Sequence, residues 1–339
     1  MIAQLDPLYI RTSPQKTVVR LLSYALFEGR PLTTKGQWIN PCVLALYKFY
    51  KRLPQLKRVY KPIFVVGTGR SGTTILGTLL SMHRDVGFLN EPKALWHAIY
   101  PAEDLVGSYC RGVAHYRLDA TDASPQVKTN AHKLFGAYLA ISGSRRVVDK
   151  YPEIVFRIPF VQALFPDAKF VFLVRNGWDT CHSIKRWSER LGVQVAAENH
   201  DWWGADRRKW DLLWKQVVAC DGELSATLPE RSELEDPINM AALEWIVSMQ
   251  EGLRLMRQFP NDIHMVRYED LVAQPQESFS QLLEFCELPP DQRFFNYATQ
   301  RLKPAPPRKD VTVHPALQPY FEETMAALGY TSPQYAISQ

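Results

Sequence analysis

Residues 63–76 read IFVVGTGRSGTTIL, and this stretch decides the predicted fold. Its first four residues are apolar and rich in β-branched side chains, which is typical of a strand buried in the middle of a parallel sheet. Three glycines then follow within six residues, Gly67, Gly69 and Gly72. They let the backbone turn and bring its N–H groups close to an anion, and Thr73–Ser81 predicts a helix that begins at the same point. The stretch is therefore predicted to be a phosphate-binding loop between a strand and a helix.

The loop differs from the Walker A loop of magnesium-dependent nucleotide-binding proteins. Gly67 and Gly72 have the Walker spacing, but Thr73 stands where that motif has its lysine. The cation of the loop is Arg70, and hydroxyl donors surround it at Ser71, Thr73 and Thr74. This set suits one terminal phosphate or phosphosulfate better than a magnesium-bound triphosphate.

Composition and charge narrow the class of protein. The chain has 339 residues, of which 46% are apolar and 22% charged, as in ordinary globular proteins with a sizeable core. A net charge of +5 is compatible with the binding of anionic small ligands. It is much smaller than the dense positive charge of a nucleic-acid-binding protein. The five cysteines are scattered and never form a C-x-x-C. That pattern predicts reduced thiols in the cytoplasm and argues against a zinc site or a disulfide framework.

The first sixty residues carry no recognisable signal peptide. Arg20 and Lys48 interrupt their two apolar runs, so neither reaches the ~20 apolar residues of a membrane span. We expect residues 1–60 to form an N-terminal helical extension and residues 61–339 to form one domain. The basic stretch 51–61 is interpreted as a solvated entry into the first strand, and contact with a membrane surface or an acidic partner is the alternative.

Further strand–loop–helix units follow the glycine-rich loop. Short apolar runs at 86–89, 147–148, 169–174 and 263–266 predict strands, and helical patterns follow them. Alternation of this kind indicates a parallel sheet. The predicted fold class is α/β, with a P-loop-containing parallel β-sheet flanked by helices.

Polar side chains follow two of these predicted strands. Glu91 lies just past the second strand, where open α/β sheets place their ligands. A surface glutamate near the start of the next helix is the alternative. Arg175 ends the strand 169–174, and Ser183 lies in the next helix, so both can reach one phosphate. The alternative for this second pair is a surface ion pair and a solvated serine.

Two other segments leave two interpretations open. Residues 187–214 hold five of the nine tryptophans, which would suit a lid or the wall of an acceptor pocket, or a helical insert packed on the core. Residues 303–309, KPAPPRK, form a proline-stiffened basic loop. This loop would either close over a phosphate or stay solvated.

Taken together, these motifs resemble those of sulfotransferases that use 3′-phosphoadenosine 5′-phosphosulfate (PAPS), in the style of the bacterial and tyrosylprotein branches. The likeness runs over residues 62–330. It implies that the 5′-phosphosulfate is bound by Gly67, Thr68, Gly69, Arg70, Ser71, Gly72, Thr73 and Thr74. It also implies that Arg175 and Ser183 bind the 3′-phosphate and that Tyr268, in the sequence YEDL, approaches the adenine. Arg308 and Lys309 are assigned to the 3′-phosphate as well.

The resemblance also implies catalytic roles. The sequence HRDV at 83–86 followed by Glu91 is similar to the segment that supplies the catalytic base of the tyrosylprotein branch, so Glu91 is the candidate base. Lys150, in the sequence DKYP, matches a lysine near the transferring sulfuryl group. Arg70 and the loop N–H groups would stabilise charge on that group and on the leaving phosphate.

The implied reaction moves a sulfuryl group from PAPS to a hydroxyl or amine of a small-molecule acceptor by in-line displacement. The product is adenosine 3′,5′-bisphosphate, and no metal is required. The alternatives are a P-loop small-molecule kinase or NTPase, which would need a magnesium carboxylate and a substitute for the lysine missing at position 73, or a nucleotide-binding protein without activity.

Overall fold

A parallel β-sheet with helices on both faces forms the centre of the protein, as the sequence predicts. The computed structural model describes residues 2–195, 197–303 and 312–330. The strands are β1 (Ile63–Gly67), β2 (Val86–Asn90), β3 (Arg146–Lys150), β4 (Lys169–Val174), β5 (Val193–Val195), β6 (Glu198–Asp201), β7 (Gly204–Ala205) and β8 (Ile263–Arg267). The helices are α1 (Pro7–Thr12), α2 (Pro14–Leu26), α3 (Asn40–Arg52), α4 (Thr73–Ser81), α5 (Lys93–Ile99), α6 (Pro125–Ser142), α7 (Ile158–Leu164), α8 (Gly177–Leu191), α9 (Arg208–Leu213), α10 (Gly222–Thr227), α11 (Pro237–Gln258), α12 (Tyr268–Ala273), α13 (Pro275–Phe285), α14 (Gln292–Arg301) and α15 (Gln318–Ala327).

The large sheet has the strand order β2-β3-β1-β4-β8, and all of its neighbouring strands run parallel. All five residues of β1 are buried, which fits its central place in that order. Strands β5, β6 and β7 form a small antiparallel sheet within the tryptophan-rich segment. Since parallel strands share one direction, the carboxyl ends of the five large-sheet strands lie along one edge.

Alternate residues of the central strand pack on opposite faces of the sheet. Phe64 and Val66 join a core with helices such as α5, α6 and α11, whereas Ile63 and Val65 join a second core that includes residues of α4, α13 and α14. This alternation is the two-residue repeat of a strand, and it explains why the run 63–66 is apolar throughout. The two cores hold the sheet rigid beneath its carboxyl edge.

Strand β3 is longer than the apolar pair 147–148 suggests. Asp149 and Lys150 continue the strand, paired with Phe64 and Val65 of β1. Both charged side chains are buried, but each has a partner: Trp96 Nε1 donates to Asp149 Oδ2 at 2.7 Å, and Lys150 contacts Glu91. Partners at other positions in the chain therefore allow the strand to extend through residues that sequence alone assigns to a loop.

The N-terminal helices pack along the edge strand β2. Lys16 Nζ donates to the carbonyl of Val86 at 2.7 Å, and Arg20, which is 2% exposed, donates to that of Phe88 at 3.4 Å. Arg20 also forms a two-pronged ion pair with buried Glu28 at 2.5 and 2.8 Å. These side chains cover backbone groups of an edge strand that would otherwise be open to pairing with another chain.

Across residues 2–195, 197–303 and 312–330, the structure contains no helix with the length and apolar character that a bilayer span requires.

Candidate active site

Each strand of the large sheet carries a predicted site residue at or just beyond its carboxyl end. Strand β1 leads into the loop 67–74, β2 into Glu91, β4 into Arg175 and β8 into Tyr268, while Lys150 is the last residue of β3. These residues come from distant parts of the chain and meet because the five strands are parallel. The structure thus brings them to one edge of the sheet.

The glycine-rich loop has the backbone conformation that its glycines allow. Gly67 has φ +135°, and a Cβ there would lie 2.4 Å from the Leu173 carbonyl oxygen. Gly72 has φ +95°, and a Cβ there would lie 2.4 Å from the Tyr268 ring. A larger residue is excluded at both positions on steric and conformational grounds. The backbone therefore turns sharply in the loop and enters α4 at Thr73.

Two loop hydroxyls are left without partners. Thr68 Oγ1 and Ser71 Oγ are buried, and neither has a hydrogen-bond partner among the residues that the structure describes. Buried polar atoms in proteins are nearly always hydrogen-bonded, so these two hydroxyls are available to a bound ligand. Together with the free N–H groups at the start of α4, they fit the phosphosulfate end of a nucleotide.

Arginines gather beside the loop. Arg70 Nε donates to Ser183 Oγ at 3.1 Å, and Arg175 Nη1 donates to the Arg70 carbonyl at 3.5 Å. The Arg175 guanidinium lies 4.8 Å from the Tyr268 ring centre and 3.6 Å from the Asp179 carboxylate. Its Nε is buried without an acceptor in the described part of the chain. Arg175, Ser183 and Tyr268 therefore meet next to the loop, as one nucleotide would require.

The pKa of Arg70 reflects this crowding of positive charge. Partial burial lowers the pKa of its guanidinium, and Arg190 and Arg175 lower it further, against an opposing effect of Glu91. Like charges held together in this way are stabilised when an anion binds among them.

Glu91 and Lys150 form an ion pair across the ends of β2 and β3. Lys150 Nζ contacts Glu91 Oε1, and Lys93 Nζ lies 3.7 Å from Glu91 Oε2. The lysine is 1% exposed, whereas the Glu91 side chain is 37% exposed. Burial raises the pKa of Glu91, but Lys150 and Lys93 outweigh burial and hold it below its ordinary value. The carboxylate is therefore ionised at neutral pH and accessible to a proton donor.

Glu91 has an unusual backbone. Its φ is +46°, in the left-handed region that costs a residue with a side chain ~1–2 kcal/mol. Its N–H donates to the Lys150 carbonyl at 2.7 Å, and this bond holds the turn in place. Strain of this kind is found where the surrounding structure imposes a conformation, often at functional sites.

A cavity of about 310 Å³ opens beside Glu91. Its walls come from Gly69 of the loop, the end of β2, the start of the turn after β3, the hairpin around β6 and β7, and residues 28–34. The contribution of residues 28–34 to this cavity was not predicted from sequence. Glu28 reaches the sheet across 62 residues of chain, where its carboxylate accepts from the Asn90 N–H at 2.7 Å, and no local pattern signals so distant a contact.

The tryptophan-rich segment combines both interpretations made from sequence. Trp187 and Trp202 line the cavity with ring centres 5.5 Å apart, whereas Trp203 and Trp210 are buried in the core. The segment comprises the end of α8, the three-stranded antiparallel sheet and α9, and is not a purely helical insert. A Cβ on Gly69 would lie 2.3 Å from the Trp202 ring, so this indole packs directly on the loop.

Arg308 and Lys309 lie outside the described residues, and their assignment to the 3′-phosphate stays a prediction. Within the described ranges, no three His, Cys, Asp or Glu side chains are grouped as metal ligands.

Comparisons with known proteins agree with this geometry. The sequence model of the sulfotransferase family matches residues 62–219 and 215–292. The nodulation protein NoeE of Sinorhizobium fredii is 25% identical over 225 residues, which cover 65% of this chain and 48% of that protein. The protein-tyrosine sulfotransferase of Drosophila melanogaster is 28% identical over 137 residues, covering 40% of this chain and 27% of its own. The chain thus spans about half or less of these curated relatives.

A solved structure supports the fold. Sulfotransferase STF9 from Mycobacterium avium superposes with a TM-score of 0.50 over 96% of this chain and 97% of its own, at 13% identity. The family match extends over more than half of the chain and includes the loop, Glu91, Lys150, Arg175 and Tyr268. This chain belongs to the sulfotransferase family.

Proposed function

We propose that the protein transfers a sulfuryl group from PAPS to a hydroxyl or amine of a small-molecule acceptor held in the cavity beside Glu91. One observation carries the proposal: the ionised carboxylate of Glu91 contacts a buried lysine and lines a cavity beside a loop whose buried hydroxyls have no partner among the described residues. This arrangement would let both substrates bind at a single edge of the sheet.

The donor would be held by the loop and by Arg175, Ser183 and Tyr268. When bound, PAPS supplies an activated sulfuryl group, and transfer forms the bond from sulfur to the acceptor atom while the bond from sulfur to the bridging oxygen breaks. The Thr68 and Ser71 hydroxyls, which have no partner in the described ranges, and the N-terminus of α4 suit the phosphosulfate end. The Nε of Arg175, also without an acceptor in those ranges, suits a phosphate oxygen.

Glu91 is the proposed general base. Its carboxylate is deprotonated at neutral pH and lines the cavity, so it can take the proton that the acceptor hydroxyl or amine loses. Lys150 and Arg70 approach the same point from β3 and from the loop. Their positive charges would stabilise the negative charge that develops on the transferring group and on the leaving phosphate.

The cavity limits the size of the acceptor. A volume of about 310 Å³ lies at the lower end of small-molecule sites, which span ~300–1,000 Å³. Aromatic rings of Tyr24, Trp187 and Trp202 share its walls with charged side chains. We expect a compact acceptor with an apolar face and a hydroxyl or amine that points at Glu91. The proposal places the enzyme in the cytoplasm, where its five cysteines, all free, stay reduced.

Calorimetric titration tests the donor assignment first. Purified protein is titrated with adenosine 3′,5′-bisphosphate and, in parallel, with ATP and magnesium. We expect tight binding of the bisphosphate alone, after which alcohols, phenols and amines are screened as acceptors with ³⁵S-labelled PAPS. Preference for magnesium ATP would overturn the proposal in favour of a P-loop kinase or NTPase.

A further inference from the structure

A row of alternating charges leads from Glu91 into the protein interior. Its members, in spatial order, are Lys150, Glu91, Lys93, Glu153, Lys209 and Glu244. Lys93 Nζ lies 3.7 Å from Glu91 and 3.8 Å from Glu153, and Lys209 Nζ lies 3.2 Å from the same Glu153 oxygen. The row is balanced in charge, which is the condition for keeping so many ionised groups away from water.

Lys209 occupies the inner part of this row. It is 2% exposed and contacts Glu153 on one side and Glu244 on the other. Its Nζ lies 4.8 Å from the centre of the Trp202 ring, and Trp202 Nε1 donates to Glu244 Oε2 at 2.6 Å. The same lysine therefore contacts the ion pairs that lead to Glu91 and the indole that packs on Gly69 of the loop.

We propose that Lys209 is a positioning residue, which sets the charge environment of Glu91 through Glu153 and Lys93 and holds Trp202 over Gly69 together with Glu244. This inference rests on the proposed function, because it takes Glu91 to be the base. Lys209 acts through other residues and is not assigned a contact with either substrate.

Lys93 and Lys209 compete for Glu153, and this competition couples Lys209 to Glu91. Burial raises the pKa of Glu153, but Lys93 and Lys209 outweigh burial and bring it to about 2, so Glu153 stays ionised and attracts both lysines. When Lys209 binds Glu153 less strongly, Glu153 draws Lys93 away from Glu91. When Lys209 binds Glu153 more strongly, Lys93 is free to move closer to Glu91. Interactions between close charges are strong in a site shielded from water, so the effect reaches Glu91.

Other charges near Glu91 set the background for this effect. They are Lys150 on β3, Lys93 on α5, Glu153 after β3, Arg70 in the loop and Glu28, which lines the same cavity. None of these is changed in the test, so a shift in the titration of Glu91 reports on the inner part of the row.

Two substitutions are expected to move the titration of Glu91 in opposite directions. Lys209→Met removes a positive charge and lets Glu153 draw Lys93 inward, so the pKa of Glu91 rises. Glu244→Gln removes a negative charge and lets Lys209 move toward Glu153, so the pKa of Glu91 falls. We expect the pKa of Glu91 to change by about 0.5 in each variant. A role for Lys209 in packing alone, with no charge effect on Glu91, would not give opposite signs.

The measurement does not need turnover. The ¹³C shift of the Glu91 carboxyl is followed from pH 2.5 to 7 in the full chain and is assigned by its absence in Glu91→Gln. The matched control is Glu251→Gln, which removes a buried, ion-paired carboxylate from the same helix two turns away. This control is expected to leave the Glu91 titration unchanged.

Each outcome decides the proposal. Shifts of opposite sign in the pKa of Glu91 in Lys209→Met and Glu244→Gln support it. If Glu91 titrates identically in Glu244→Gln and in the unaltered protein, the proposal is overturned. Glu244→Gln leaves Lys209 its contact with Glu153, so this arm decides the test even when Lys209→Met does not fold. Absence of any sulfuryl transfer would instead count against the proposed function, and the titration would still report whether Lys209 controls Glu91.

Discussion

The two sides of the site differ in how their charges are balanced. The proposed donor side, comprising the loop 67–74 with Arg175, Ser183 and Tyr268, gathers arginines and leaves buried donors without partners in the described part of the chain. The proposed acceptor side, the row of charges from Lys150 to Glu244, pairs each lysine with a carboxylate. An anionic ligand would therefore balance the charges of the donor side. The charges of the acceptor side balance one another, and they include the ionised carboxylate of Glu91, the proposed base.

The largest effect is expected where the two sides meet. Glu91→Gln keeps an oxygen that accepts from Lys150 but removes the base, so turnover should fall ~10²–10⁴-fold. Affinity for adenosine 3′,5′-bisphosphate should stay within a few-fold, because the donor side is unchanged. Steady-state rates and calorimetry measure the two quantities. Turnover close to that of the unaltered enzyme would show that Glu91 is not the base.

Acid should weaken the acceptor side selectively. The pKa of Glu153 is lowered from its ordinary ~4.3 to about 2, so its contribution to stability is complete above pH ~4.5 and is lost as the pH falls toward 2. This contribution is on the order of 3 kcal/mol. Urea unfolding of the unaltered protein and of Glu153→Gln should therefore give free energies that converge by that amount between pH 5 and 2. Parallel curves would contradict the ion-pair account.

Arg175→Ala should damage only the donor side. The lost charged hydrogen bonds to the bisphosphate should raise its Kd ~10–100-fold, as calorimetry would measure. Arg254→Ala is the matched control, since Arg254 is a half-exposed arginine on α11 that pairs with Glu251. If both variants lose bisphosphate affinity equally, or if neither loses any, the assignment of Arg175 to the phosphate site is wrong.

The smallest effect separates backbone strain from ligand binding. Arg70 has φ +70°, which glycine adopts freely and other residues do not. Arg70→Gly should therefore unfold with a free energy about 1 kcal/mol higher than Arg70→Ala, while both variants lose bisphosphate affinity to the same extent. Chemical denaturation and calorimetry test the pair. An alanine variant as stable as the glycine variant would mean that the loop relaxes without cost.

Sequence alone determined the sheet and the glycine-rich loop. The loop is a contiguous stretch whose glycine spacing dictates its turn, and residues 169–174 were predicted with the bounds that β4 has. Sequence patterns also singled out Glu91 and Arg175, since each follows a predicted strand, whereas Lys150 and Tyr268 came only from the resemblance to sulfotransferases. In the structure all four lie along one edge, because parallel strands end there.

Only the tertiary structure decided the inner part of the charge row and the walls of the cavity. Glu28, Glu153, Lys209 and Glu244 are separated by long stretches of chain, and each looks like an ordinary surface charge when its sequence neighbours are considered alone. Their meaning comes from burial, since a charge away from water requires a partner and the partner comes from another element. The phosphate binding proposed for the loop depends on local backbone geometry, which sequence encodes directly. The acceptor cavity depends on how distant elements pack, and local sequence patterns do not reveal that packing.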